Sequence, residues 1–484
     1  QTVENTGNHY LKFGFGQKGY EYFGTKISVI NNERIQTKEY SPVKGYMSSM
    51  SHEMHFGLGQ DSSAVSVIVK WPNGSSSTLS DIKPNQKIDL SANEYVGISV
   101  QYPNSQSLFK ASERFMATHL ENAYSDFDRD RLIMQMSSNE GPAVAIGDIN
   151  GDGKEDVFLG GAKGQPAEIH LQKSKGFDMK TPNMGENHED VDAQLVDIDQ
   201  DGDLDLLVAS GGHEFAFNNP QLKDRLYINK GQGNFEISEK FNAVSEPSSF
   251  IRTIDYDLDG DLDILSGSRQ VPFAYGIPAD LHLYNNENGV FTKVETPVFS
   301  EIGMITDGEV GDIDSDGDQD IIIVGEWMTI KVFINEEGQF FDKTKDFKLS
   351  ETSGLWHHIE LVDLNADGKL DIIGGNHGLN TRLKASNEKP LRMYVNDFDQ
   401  NRSIEQIITQ YEGEDAYPIV MLPDLIKQLP GLKKKYVKHE AYKNQTIQDI
   451  FDEEVLSKSV VHEVSMLASA YFIQTEDGFE LKEF

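Results

Sequence analysis

Two rhythms of apolar and polar positions divide the chain. In the first hundred residues, apolar positions alternate with polar ones or cluster in short β-rich runs: YLKFGF at 10–15, TKISVI at 25–30, SAVSVIVKW at 63–71 and KIDL at 87–90. A period of two places one set of side chains on one face of a strand, and the Gly, Asn, Pro and Ser clusters between the runs are turn formers. Val65, Val67 and Val69, leading into Trp71-Pro72-Asn73-Gly74, read as a half-buried strand entering a turn. No helical period is evident there. The expectation is a small β-sandwich or barrel over residues 1–103.

From residue 104 onward the apolar runs shorten to VFLGG, LLVAS, ILSGS, IIIVG and IIGG, each preceded by an acidic, glycine-containing stretch. These runs suit strands and are too short for helices. Strand–turn–strand hairpins follow at Tyr227–Phe235, Tyr284–Phe291 and Phe333–Phe340, with weaker versions at Leu171–Phe177 and Phe472–Phe479. The resulting four-stranded unit of about 50 residues has the size of a propeller blade and far exceeds a β-helix rung. Residues 423–463 interrupt the pattern with helical spacing, Thr446 and Asp449 forming a capping box, before SAYFIQ resumes the strands. The predicted fold is all-β: the small domain over 1–103, then a β-propeller of about six to seven four-stranded blades over 104–484, with a helical insertion in the sixth blade.

The acidic stretches share one nine-residue pattern, D-x-[DN]-x-D-G-x-x-D, whose five copies start 49, 58, 57 and 51 residues apart. The first offers Asp148, Asn150, Asp152 and Asp156, with the carbonyl of Lys154; the second offers Asp197, Asp199, Asp201 and Asp205, with that of Asp203. The third supplies Asp255, Asp257, Asp259, Asp261 and Asp263, the fourth Asp312, Asp314, Asp316, Asp318 and Asp320. The fifth has Asp363, Asn365, Asp367, Lys369 and Asp371. A sixth, altered copy reads Asp397, Asp399, Asn401, Ser403 and Glu405, with Arg402 where the glycine belongs.

The spacing is that of a calcium loop. Oxygens at positions 1, 3 and 5 converge, glycine at 6 permits the sharp turn, and the carbonyl at 7 adds a ligand, as in the first part of an EF-hand. A bidentate Asp at position 9 stands in for the EF-hand glutamate. An oxygen-only ligand set favours Ca²⁺ over Zn²⁺ or Cu²⁺. The bland alternative is a solvated acidic turn without metal, but eighteen ligand carboxylates in the five loops would repel one another strongly. About five Ca²⁺ are expected, with a sixth at the altered loop, in a structural role.

Acidic residues number 79 against 43 basic, for a net charge of −36. Residues 1–103 hold nine of each, so the whole excess falls after residue 103 and marks a domain boundary there. Such a field repels nucleic-acid phosphate and anionic lipid. The chain has no cysteine, which excludes disulfides, thiolate metal sites and a cysteine nucleophile. No apolar stretch approaches the ~18–20 residues of a membrane span. Opening on QTVENTGNHY, without Met or a signal-peptide pattern, the chain is expected to be processed or cut from a longer polypeptide.

A second set of candidates lies a strand's length after the ninth residue of successive loops: Lys163, His213, Glu214, Arg269, Glu326, Trp327, Asn376 and His377. A strand of that length crosses the sheet, so these residues are expected to share the face opposite the acidic loops, as a ligand site or as ordinary loop polarity and core tryptophan. His357 and His358 read as packing or capping residues. Lys433, Lys434 and Lys435 read as the exposed face of a helix, or else as a docking patch for an acidic partner. The chain lacks a P-loop, GxSxG, HExxH and dinucleotide fingerprint, and its paired carboxylates occur only within the loops.

The loops with their flanking strands resemble the FG-GAP, or VCBS, repeats of integrin-like propellers, most fully in GPAVAIGDINGDGKEDVFLGG at 141–161. The leading segment resembles the ASPIC/UnbV domain of the cartilage acidic protein family through Asn8-His9-Tyr10-Leu11, Gly24, Gly45-Tyr46, His55-Phe56-Gly57-Leu58-Gly59 and Trp71-Pro72-Asn73-Gly74. The combination is similar to large secreted or surface proteins of Bacteroidetes, which GNHGLN at 375–380 and GEWM at 325–328 also resemble. The resemblance implies a calcium-binding propeller outside the cytoplasm, secreted or held at the outer membrane through the rest of the polypeptide or a partner. It implies no settled activity. In the cartilage proteins the ASPIC domain follows the propeller, whereas here it comes first. The leading expectation is a binding protein for a glycan, peptide or protein, more narrowly an accessory subunit of a SusC/SusD-type nutrient-uptake assembly. The competing ones are a propeller-fold hydrolase or lyase working around His377 and Glu326, and a structural subunit of a surface complex.

Overall fold

The computed structural model describes residues 7–16, 22–31, 34–41, 43–45, 48–49, 53–90, 117–181 and 184–483. The chain divides into two compact units, Gln1–Ala111 and Ser112–Phe484. The boundary expected near residue 103 and the Tyr46 of the resemblance lie outside the described residues.

The first unit contains β1 (His9–Gly14), β2 (Lys26–Asn31), β3 (Arg34–Glu39), β4 (Val43–Gly45), β5 (Ser48–Ser49), β6 (Glu53–Gly59), β7 (Val65–Lys70), β8 (Ser76–Ile82) and β9 (Gln86–Asp89). One sheet runs β6-β1-β9 and another β3-β2-β7-β8. Leu11, Phe13 and Phe56 from the first share a buried core with Ile27, Val29, Val65, Val67 and Val69 from the second. The valine alternation therefore faces the core of a sandwich, as its period requires. Trp71 ends this face, its Nε1 donating to Ser77 Oγ at 2.8 Å.

In the second unit, four-stranded antiparallel sheets follow one another. Blade one is β10 (Val144–Gly147), β11 (Asp156–Leu159), β12 (Glu168–Gln172) and β13 (Phe177–Lys180). Blade two is β14 (Asp190–Val196), β15 (Asp205–Ser210), β16 (Arg225–Asn229) and β17 (Phe235–Ile237). Blade three is β18 (Ser248–Ile254), β19 (Asp263–Ser268), β20 (Leu281–Glu287) and β21 (Val290–Val294). Blade four is β22 (Met304–Gly311), β23 (Asp320–Met328), β24 (Lys331–Glu336) and β25 (Gln339–Asp342). The first strands of successive blades run side by side, and apolar layers fill the spaces between blades. In each blade the acidic loop joins the first strand to the second.

Blade five departs from the expected chain order. It begins with β26 (Gly354–Val362) and β27 (Asp371–Asn376), but its outer strands come about a hundred residues later in sequence. Between them lies a separate sheet of β28 (Leu391–Asn396), β29 (Glu405–Glu412), β30 (Asp415–Pro418) and β31 (Val460–Val464), in the order β30-β29-β28-β31. The chain then returns in β32 (Ala470–Thr475) and β33 (Gly478–Glu483), β32 pairing with β27. The SAYFIQ strand therefore completes the fifth blade and not the sixth sheet. Helices α1 (Leu422–Gln428), α2 (Ile447–Ile450) and α3 (Glu453–Leu456) lie between β30 and β31. The capping box is present, Thr446 N–H donating to Asp449 Oδ2 at 2.9 Å.

One buried carboxylate recurs in each blade. The ninth loop residue, Asp156, Asp205, Asp263, Asp320 or Asp371, is at most 1% exposed. Its Oδ2 accepts the N–H of loop position 2 (Ile149, Ile198, Tyr256, Ile313 or Leu364) at 2.7–3.3 Å. Its Oδ1 accepts a third-strand N–H (Gln172, Asn229, Asn286, Asn335 or Gln474) at 2.7–2.8 Å. The Asp371–Gln474 bond spans the whole inserted sheet and reassembles blade five. The same third-strand residues reach backward through their amide groups. Asn229, Asn335 and Gln474 donate to the position-2 carbonyl of the preceding blade, at Ile149, Tyr256 and Ile313.

Hydrogen bonds to a buried charged acceptor stabilise by about 1.5–3 kcal/mol each, and an orphaned buried N–H costs a comparable amount. Asp205→Ala orphans two. It should lower unfolding free energy in chelator by about 3 kcal/mol, whereas Asp477→Ala, at a side chain 87% exposed, should cost less than about 0.5 kcal/mol. Urea melts of the two variants check the difference.

Candidate metal centre and the opposite face

The loops share one backbone. Position 4 is left-handed in all six, φ 57–71° at Gly151, Gln200, Leu258, Ser315, Ala366 and Gln400. Position 6 is left-handed too, φ 82–102° at Gly153, Gly202, Gly260, Gly317 and Gly368, and 72° at Arg402. Arg402 adopts the glycine's conformation despite its Cβ. The first Asp clamps this turn: Asp148, Asp197, Asp312, Asp363 and Asp397 each accept the N–H groups of positions 5 and 6 at 2.7–3.1 Å. Position 5 accepts the N–H of position 7, for example Asp201 from Asp203 at 3.0 Å and Asn401 from Ser403 at 2.6 Å.

Around this frame the carboxylates converge. One oxygen each of Asp197, Asp199 and Asp205 lies within 4.8 Å of the others, and the same holds for Asp255/Asp257/Asp259, Asp312/Asp314/Asp316 and Asp397/Asp399/Glu405. The first and fifth loops carry Asn150 and Asn365 at position 3, so they bring fewer charges together. In the first, Lys154 Nζ sits 2.9 Å from Asp152 Oδ2. Burial, followed by repulsion from the loops' other carboxylates, pushes Asp205 and Asp320 up to about 6 and Asp263 and Glu405 up to about 7. Asp255 Oδ1 and Glu405 Oε1 are buried without a hydrogen-bond partner among the described residues. Oxygen-only donors, close carboxylates and orphaned buried oxygens fit a hard divalent cation. The ninth residue differs from the expected bidentate ligand in one respect. In the five blades both oxygens of the ninth Asp already accept backbone N–H groups, so only their second lone pairs remain for a cation, whereas Glu405 keeps Oε1 free of any such bond among the described residues.

The other predicted residues lie at the far ends of the second strands, and the chain itself engages most of them. The segment Ala117–Pro142 crosses this end of the blades. Asp130 Oδ2 lies 2.9 Å from His213 Nε2, Asn122 donates to Glu214 at 3.2 Å, and Glu140 pairs with Arg269 at 3.0 Å. Gln135 donates to Glu326, whose other oxygen accepts from Tyr275 Oη at 2.7 Å and lies 3.1 Å from Arg269. Trp327 Nε1 donates to Tyr275 Oη at 3.1 Å and packs with Met304, Leu355 and residues of the inserted sheet, held at φ 60°. Lys163 is exposed and pairs with Glu214 at 2.9 Å. Asn376 bonds Leu355 N–H and Met466 O, and His377 lies near Thr381 and the His357 ring. The structure thus brings Arg269, Glu326 and Trp327 into one buried network, while His213 with Glu214 and Asn376 with His377 form separate clusters.

A cavity of about 360 Å³ opens among the first strands. Val191, Ser249, Thr306 and His357, each at a register shift of its strand, line it with Asp192, Arg252, Asp307 and His358. Arg252 ties three blades together through Asp192, Asp307 and Glu309. Sequence reading missed this hub and the third-strand Asn/Gln series. The latter was visible as the last residue of LQ, YIN, YNN, FIN and FIQ.

Family models match residues 16–95 as ASPIC and UnbV, and residues 148–208, 197–266 and 312–374 as FG-GAP-like repeat. The chain combines an ASPIC/UnbV domain with FG-GAP-like repeats. No curated protein matches it. Similar solved structures include Saccharomyces cerevisiae Sqt1, at 15% identity over 50% of this chain and 60% of that one, with a TM-score of 0.34. The V. cholerae biofilm matrix protein Bap1 matches at 16% identity over 57% of this chain and 38% of that one, TM-score 0.27. BBS1N, solved in complex with ARL6DN, matches at 10% identity over 72% of this chain and 93% of that one, TM-score 0.30. The chain thus spans less than two thirds of the first two, and at such low scores the fold is read from the sheets themselves. The FG-GAP-like matches cover the first five acidic loops and stop before the altered sixth. No helix among the described residues is long and apolar enough to cross a membrane.

Two outcomes follow. Arg402→Gly should stabilise the second unit by about 0.5–1 kcal/mol, the left-handed strain less glycine's unfolded-state entropy, read from the denaturation midpoint. Glu189, fully buried with neither side-chain oxygen hydrogen-bonded among the described residues, has its carboxyl pushed from 4.5 up to about 8 by burial and by Glu121, Asp190 and Glu214. Its neutral form fits the fold, so the stability tied to it is present at low pH and is lost as pH rises through about 8. Glu189→Gln should melt with wild type near pH 5 and above it near pH 9; an equal offset at both would contradict this.

Proposed function

We propose that this chain is part of an extracytoplasmic binding protein whose propeller blades are held by divalent calcium, with a protein or glycan as partner. The observation that carries the reading is the six-fold recurrence of one loop geometry, sustained even at Arg402, where the sequence disfavours it. Chance acidic turns would have no reason to hold the same backbone in all six loops and to bring carboxylate oxygens together in four of them. Asp148, Asn150, Asp152 and Asp156, with their counterparts in the other five loops, are the residues that would hold the ions. Calcium would supply counter-charge there and no chemistry. The partner surface we assign to the mouth of the axial cavity, where Arg252, Asp307 and His358 offer both donors and acceptors suited to hydroxyl or peptide groups.

A cation bound at a hundred times its Kd stabilises by about 2.7 kcal/mol per site, and a unit of this size shifts by about 1.3 °C per kcal/mol, so emptying even two of the loops lowers the melting temperature by about 7 °C. Chelation should therefore lower the melting temperature by at least about 5 °C, with recovery on adding Ca²⁺ back. An unchanged melt after exhaustive chelation would overturn the reading.

A further inference from the structure

The blades follow one contact rule. Counting back from the first Asp of each loop, the residue two before faces the preceding blade, and the residue one before faces the following blade. A Cβ on Gly147, one before in blade one, would lie 3.3 Å from Leu195, two before in blade two. Gly311 in blade four stands in the same relation to Leu361 in blade five, at 3.4 Å. Ile254 and Val310 pack together across blades three and four. Two further features accompany the contact. The position-2 side chain is buried beneath the next blade, as with Ile149 and Ile313. In three of the four junctions the position-2 carbonyl also accepts the next blade's third-strand amide.

Among the described residues the rule leaves two flanks uncovered. On blade one, Ile146 (two before) and Val144 (four before) are 60% and 51% exposed, whereas the residues four before in blades three and five, Ile251 and Ile359, are fully buried. On blade five, Val362 (one before) and Leu364 (position 2) are 36% and 43% exposed, against 0% for Ile254 and 1% for Ile313. The Leu364 carbonyl accepts no hydrogen bond among the described residues. Gln172, the blade-one counterpart of Asn229, Asn335 and Gln474, has no side-chain partner among them.

We propose that these flanks bind each other between two copies of the chain, blade five of one docking on blade one of the next in the register used within the chain. Each flank is one half of a contact that the molecule already makes four times. Val362 packs against Ile146 of the second copy, and Gln172 of that copy donates to the Leu364 carbonyl. Matched apolar strips and a matched donor and acceptor identify the occupant as a blade carrying this amide and these aliphatic residues. The chain presents such a blade at its own opposite end. The contact is head-to-tail, so it closes into a ring or extends as a chain of copies. It does not depend on what fills the acidic loops.

Sedimentation velocity of the purified chain at micromolar concentration should show association. Val362→Asp and Ile146→Asp should each weaken it at least about tenfold, since a carboxylate is costly to bury in an apolar contact. Both sites are exposed, so monomer circular dichroism and melting should match wild type. Since the chain lacks cysteine, Val362→Cys and Ile146→Cys can be mixed as single variants. A mixed disulfide in preference to either homodisulfide supports head-to-tail docking. A wild-type monomer, association that survives both Asp variants, or homodisulfides alone would each overturn it.

Discussion

A carboxylate that is almost never exposed governs this molecule. At the ninth position of each blade's loop, one Asp accepts an N–H from the loop's second residue and another from the third strand, fixing where the loop begins and where the outer half of the blade returns. The third-strand residue so fixed is an Asn or Gln, and in three junctions its amide reaches back to the neighbouring blade. Loop closure, blade assembly and blade registration therefore share one group. This is why blade five survives the insertion of a whole sheet with helices between its second and third strands. The Asp371–Gln474 bond forms regardless of the length of chain looped out, because loop-closure entropy grows only slowly with length.

The same constraint concentrates negative charge at one end of the blades and leaves the other end to the chain itself. Backbone N–H groups engage most of the first and ninth carboxylates without neutralising them, so the net charge of −36 remains a standing electrostatic cost that a cation would relieve. At the opposite end, the segment before blade one and the inserted sheet cover His213, Arg269, Glu326 and Trp327. Those polar residues join the chain's own segments. What remains open is the axial cavity with its arginine hub, and the two flanks of the blade series.

Much of this was legible in the sequence. The nine-residue repeat predicted the loops and, through them, strands on either side; the valine alternation predicted a buried face in the first unit; Thr446 and Asp449 predicted a helix start. The return of β32 to blade five was not legible, because a strand's pairing partner is set by tertiary contacts and SAYFIQ reads identically in either sheet. The second-strand ends carry polar residues whether they bind a ligand or a strap, so composition could not separate those roles. The left-handed backbone at position 4 was hidden as well, since Gln200, Leu258 and Ala366 give no sign of it.

Whether divalent cations fill the six loops is decided by an anomalous difference map from crystals grown in calcium. A peak is expected inside each loop, Asp397–Glu405 included, ringed by the oxygens of positions 1, 3 and 5. Loops with the observed backbone but no anomalous peak at saturating calcium would contradict this, and would leave the acidic repeat as a hydrogen-bonded turn alone.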